Sequence, residues 1–141
     1  MRKVQWNTSH AVHVPDVDDE HQALFRLCNE LQSALSSGAR SRQINSTLHE
    51  LSDHMAKHFA HEEREMRASR YSLYPWHRRQ HRAAHSRFTL LEECIRNGDR
   101  AGALDSLAAV CRWLDDHIRL ADRMLGAHLR NYQRELAVHH V

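Results

Sequence analysis

Apolar residues recur along this chain at alternating steps of three and four, the spacing that keeps one stripe of an α-helix turned toward its neighbours. The first stripe reads His21, Leu24, Cys28, Leu31 and Leu35, and the second Ile44, Leu48, Leu51, Met55, His58 and Glu62. The third is His77, His81, Ala84, Phe88, Leu91 and Ile95; the fourth is Leu107, Val110, Leu114 and His117. Punctuating residues set the boundaries. Asp16 or Asp18 caps a first helix that runs to about 37, before Gly38, and a second helix covers about 41–68. A loop carrying Tyr71 and Tyr74 ends at Pro75, which a first helical turn tolerates, and the third helix runs from there to about 97. Gly98 then stops it, and Asp99 caps a fourth helix that reaches at least 128. Four amphipathic helices of similar length on short turns predict an all-α, up-down-up-down four-helix bundle. Residues 1–17 hold Pro15 and no helical period, so they are expected as an extended arm with Trp6 anchoring it to the bundle. The bundle is expected over about 18–130, with a tail over 131–141 whose His139-His140 pair is disordered.

The stripes are interrupted by residues of one chemical kind. Imidazoles and carboxylates at His21, His58, Glu62, His77, His81, His117 and Asp122 lie where four successive helices can turn them to a common centre. That donor set favours a first-row transition metal, and two carboxylates able to bridge point to a pair of ions, iron first among them. His58 and Glu62, four residues apart, share a helix face, but that spacing alone is weak evidence. His77 and His81 repeat it at the head of an unbroken apolar stripe, whereas the competing pair His81 and His85 leads through Phe88 to charged Glu92. The first register is therefore adopted. Five imidazoles and a glutamate among leucines would cost several kcal/mol without a cation, on the order expected for buried polar groups lacking partners. Asp122 follows His117 by five residues, roughly 140° around an ideal helix, so sharing a face needs a π-bulge. On spacing alone it reads as a surface aspartate paired with an arginine.

Composition changes this picture only at the margins. Fourteen histidines mark that residue type for attention, while 20 basic against 18 acidic residues give a formal charge of +2, too little to suggest nucleic acid. The segment Met1 to Trp6 has no apolar run fit for export or for spanning a membrane, so a cytoplasmic protein without membrane insertion is expected. Cys28, Cys94 and Cys111 fall inside helical patterns without C-x-x-C spacing and are expected as reduced core thiols.

Three strings carry a resemblance. Trp6 to His21 with Asp18-Asp19-Glu20-His21 and then Leu24-Phe25, His58-Phe59-Ala60-His61-Glu62-Glu63 with Met66, and Trp113-Leu114-Asp115-Asp116-His117-Ile118 with Asp122 together resemble the hemerythrin family in its bacterial form. The resemblance spans residues 6 to about 125. It implies a non-haem di-iron site that binds dioxygen reversibly. It assigns His77, His81 and His117 to one iron and His21 and His58 to the other, with Glu62, Asp122 and an oxo or hydroxo group bridging both. One place, on the iron with two histidines, is left for dioxygen. By the same resemblance Trp113, Leu114 and Ile118, with Phe25 and Phe59, wall the oxygen pocket, although each also serves as a core packer.

The implied role is storage of oxygen, or its delivery by a monomer to an oxygen-consuming enzyme partner. Two other classes remain: an oxygen or redox sensor module, which would usually carry an output domain that does not fit in 141 residues, and a di-iron peroxidase, oxidase or nitric-oxide-reducing enzyme. The Glu-x-x-His pairs typical of ferritin-like enzymes do not occur in the sequence. His61 and His85 fall off the stripes and are expected at solvent-exposed positions.

Overall fold

The computed structural model describes residues 3–139, and among these it holds helices and no strand. The four long helices are α1 (Pro15–Ser36), α2 (Ser41–Ala68), α3 (Tyr74–Arg96) and α4 (Arg100–His117). A π-helical turn (Ile118–Asp122) joins α4 to α5 (Arg123–His139) in one continuous rod. Each helix packs on the next in sequence, and α1 closes the ring against α4. This is the expected four-helix bundle. Among the described residues no helix is long and apolar enough to cross a membrane.

Local chemistry explains the boundaries. Gly38 and Gly98 adopt φ of 72° and 71°, the left-handed conformation that ends α1 and α3 and lets the Ala39 and Asp99 N–H groups reach back to the carbonyls of Ala34 and Cys94. The Asp99 carboxylate caps α4 by accepting the Gly102 N–H at 2.9 Å. At the start of α1 the expectation fails. The helix begins at Pro15, preorganised for that position, and neither Asp16 nor Asp18 caps it. Asp18 instead accepts the N–H groups of Val12 and His13, folding the arm back on the helix. Likewise α3 starts one residue before Pro75, at Tyr74.

The arm is less extended than its sequence suggests. Thr8–His10 forms a 3-10 turn because Asn7 accepts the Ser9 N–H and His10 Nδ1 accepts the Asn7 N–H. Trp6 packs against the main core, as expected of an anchor, and Val4 exchanges two hydrogen bonds with the Asn29 side chain. At the other terminus α5 continues to His139, so residues 131–139 are helical rather than a tail; His140 lies outside the described residues.

The core follows the stripes. Leu24, Leu31, Leu51, Leu91, Leu107 and Leu114 are wholly or almost wholly buried, each contributing about 1.5–3 kcal/mol by leaving water. Leu48 and Ile95 are only half-buried and line an open cavity of about 470 Å3 between the ends of α1 and α3 and the starts of α2 and α4. Cys28 and Cys111 are buried and Cys94 is half-buried. A second cluster, Met66, Tyr71, Leu125 and Leu129, seats α5 on the end of α2.

Candidate metal centre

All seven of the predicted ligand residues are buried, none more than 4% exposed, and the four helices and the π turn bring them together. They form two overlapping groups. Glu62, His77, His81, His117 and Asp122 make one, and His21, His58, Glu62 and Asp122 the other, with donor atoms inside each lying within 4.8 Å of one another. Glu62 and Asp122 belong to both. Asp122 Oδ1 is 3.1 Å from Nε2 of His77 and of His117, while its Oδ2 is 2.9 Å from His21 Nε2. Glu62 Oε1 is 3.0 Å from His81 Nε2 and 3.5 Å from the Nε2 atoms of His58 and His77. The π turn makes this possible. By adding a residue to the winding between His117 and Asp122, it returns the carboxylate to the face that an α-helix would have carried it past.

The imidazoles are oriented from outside. His58 Nδ1 lies 2.5 Å from Glu20, His81 Nδ1 3.2 Å from Glu63, and His117 Nδ1 2.9 Å from the side-chain oxygen of Gln80. An acceptor at Nδ1 fixes the proton there and leaves the Nε2 lone pair pointing inward. The centre is therefore crowded with acceptors. Glu62 Oε2, both Asp122 oxygens and Nε2 of His77 and His117 have no well-directed hydrogen bond, and the close nitrogen–oxygen approaches around them are contacts of distance rather than of angle. His21 Nε2 and His58 Nε2 face each other at 3.0 Å, and at most one of them can hold a proton between them. Convergent lone pairs in a dry interior are what cations satisfy, so the residues fit a metal pair.

Electrostatics point the same way. Burial works to lower the His58 and His77 pKa values, but Glu62 and Glu20 raise His58 to about 9, and Asp122 and Glu62 raise His77 to about 9. Burial and the neighbouring Asp122 push Glu62 up, yet His58, His77 and His81 bring it down to about 2. Asp122, despite burial, is held well below the usual carboxylate range by His117, His21 and His77. The carboxylates thus stay ionised and recruit positive charge, as protons or as metal.

Over residues 12–129 the chain matches the Hemerythrin HHE cation binding domain. It belongs to the hemerythrin family. Among relatives, it is 28% identical over 127 residues to the bacteriohemerythrin of Methylococcus capsulatus, covering 89% of this chain and 96% of that one. It is 32% identical over 118 residues to the myohemerythrin of Sipunculus nudus, covering 83% and 86%. A crystal structure of a hemerythrin with a leucine-to-tyrosine substitution superposes with a TM-score of 0.81 at 25% identity, covering 92% of this chain and 98% of that one.

Within this hemerythrin domain the aromatic residues expected as pocket wall fall into two groups. The Phe59 ring stacks on His81 at 4.1 Å and meets Trp113 edge-on, and Trp113 stacks on His117 at 4.4 Å. Leu114 and Ile118 are buried beside them on the same rod. Phe25 is buried too, but the aromatic ring its own meets is that of His10, edge-on at 5.0 Å. Of the α3 histidines, His77 and His81 lie buried in the cluster and His85 is exposed.

His61 corrects the expectation. It is half-buried, its Nδ1 lying 2.8 Å from Glu20, so it shares the carboxylate that holds His58. Glu20, Glu63 and Gln80 themselves escaped sequence reasoning, although a signal existed: each adjoins a stripe ligand in sequence, as in Glu20-His21, Glu62-Glu63 and Gln80-His81. His10 also escaped. Wholly buried, it pairs through Nε2 with Asp115 at 2.5 Å and fastens the arm to α4.

Proposed function

We propose that the chain binds dioxygen reversibly at a di-iron centre and acts as an oxygen store or as a carrier to an oxygen-consuming partner. The observation that carries this reading is the buried cluster in which two carboxylates belong to both halves of an imidazole-rich donor set. In it His77, His81 and His117 would hold one iron, His21 and His58 the other, and Glu62 and Asp122 would bridge them. With about six donors per iron, five imidazole nitrogens, four carboxylate oxygens and a shared oxo or hydroxo bridge leave one place open. The ions, when bound, supply two electrons that dioxygen takes up and returns.

The residues around them decide whether that exchange stays reversible. Glu20, Glu63 and Gln80 hold three imidazoles at fixed angles, so the donor set need not rearrange as charge shifts. Phe59 and Trp113, stacked on His81 and His117, with Leu114 and Ile118 buried on the same rod, would wall the site by analogy with the family and keep water and stray protons out, which favours return of oxygen over loss of peroxide. The test is to load the chain with ferrous iron, admit oxygen, and then sweep it away with inert gas. Return of the deoxy absorption spectrum supports a carrier. Steady peroxide release would replace it with an enzyme, and one-way oxidation with a redox sensor.

A further inference from the structure

Trp113 joins the metal cluster to the surface. One face of its indole stacks on His117 with an interplanar angle of 14°, and both residues border an open hollow of about 600 Å3 between α3 and α4. The cationic groups of this hollow are Arg87 and Arg112; Asp116 is its acidic residue. A second hollow of about 360 Å3 adjoins it across Leu120 and is lined by Arg119, Arg123, Arg130 and Met124; Arg119 lies 3.6 Å from Asp115, and Arg130 donates to the Val12 carbonyl. Leu120 is 58% exposed and Met124 40%, both large apolar side chains turned to solvent. The face over the π turn is thus an apolar centre with a rim of five arginines against two aspartates, Asp115 and Asp116.

An apolar centre inside a charged rim suits a brief, steered encounter, and the sign of the rim selects an acidic partner. The stacked pair suggests what such a partner delivers. An electron arriving at Trp113 passes by π contact to the ring of His117 and so reaches the cluster. We infer that this face docks an acidic one-electron carrier protein that returns the centre to its ferrous state. The inference rests on the di-iron reading above. Two carrier molecules are each oxidised by one electron, two ferric ions become ferrous, and the bridging oxo group takes one proton from solvent. Steering by the arginines weakens as salt rises.

The oxidised, iron-loaded chain is mixed anaerobically with reduced plant-type ferredoxin as the acidic donor, and separately with reduced methyl viologen as a small cationic one. The ferredoxin rate constant is expected to fall with ionic strength and to drop at least tenfold in the double variant Arg87→Glu with Arg112→Glu. It should not change when Arg40→Glu and Arg42→Glu reverse charge at the start of α2. Trp113→Leu should slow the electron step at saturating ferredoxin while leaving the affinity for oxidised ferredoxin, measured by calorimetry on the iron-loaded chain, within twofold. Methyl viologen, itself a cation, should reduce the Arg87→Glu with Arg112→Glu variant no more slowly than the unsubstituted chain. Equal ferredoxin rates and affinities across the arginine variants, in a chain that still takes up two irons and releases oxygen, overturn the docking face alone. A chain that takes up no iron overturns the di-iron reading, and the electron route falls with it.

Discussion

Along each helix the buried face changes character from one end of the bundle to the other. Leu31, Leu35, Ile44, Leu51, Leu91 and Leu107 fill one half, and His21, His58, Glu62, His77, His81, His117 and Asp122 fill the other. The helical spacing is the same in both. The first half is stabilised by leaving water and needs nothing further, whereas the second keeps ionised carboxylates in a dry interior and is completed only by positive charge. A single repeat can therefore carry both a fold and a binding site, provided the apolar half is large enough to hold the polar half in place.

The sharpest break in this comparison comes from the polar half. His77→Ala should reduce iron from two ions per chain to one or none by elemental assay while the helical circular dichroism persists; retention of both ions would remove His77 from the donor set. Leu91→Ala should do the opposite, costing about 2–5 kcal/mol in denaturant unfolding while iron stoichiometry holds at two. A pH titration separates the halves without mutation. With His58 and His77 raised to about 9, their contribution to the stability of the metal-free chain is complete below about 6.5 and lost as pH climbs through 9. Metal needs the same rings neutral, so apparent iron affinity should climb with pH over that window and level off above it. An affinity that does not vary between pH 6.5 and 9 would contradict the ligand roles of both histidines.

Smaller effects refine the boundary between the halves. Glu20→Gln leaves His58 and His61 with a weaker acceptor and should lower iron affinity by about 10–100-fold in a competitive chelator titration, with the unfolding midpoint of the metal-free form less affected. His85→Ala should change neither the iron content nor the oxygenated spectrum. A large effect there would reverse the choice of register on α3.

The sequence showed the apolar half almost completely, because a core stripe depends only on spacing and residue type. It also marked six of the seven clustered residues, since polar groups on an apolar stripe stand out, whereas Asp122, off the stripe by spacing, was pointed to only by the family resemblance. What it concealed were partners set by tertiary approach: Glu20 reaches His61 across 41 residues, and His10 reaches Asp115 across 105. Helix starts were misplaced for a related reason. Asp18 has the chemistry of a cap, but the returning arm offered it two N–H groups, and the proline at position 15 began the helix first.

The π turn has one more consequence. It sets the rod's phase: everything after Asp122 is rotated, relative to a plain α-helix, by roughly the 100° that one residue occupies. Leu125 and Leu129 owe their contact with Met66 and Tyr71 to that offset as much as Asp122 owes its place beside His117. Deleting exposed Leu120 would take out the one residue that the π turn absorbs, so a plain α-helix, with the carboxylate now four residues from His117, would still bring it and the α5 seat to the same face, whereas a deletion elsewhere in the rod would swing them away.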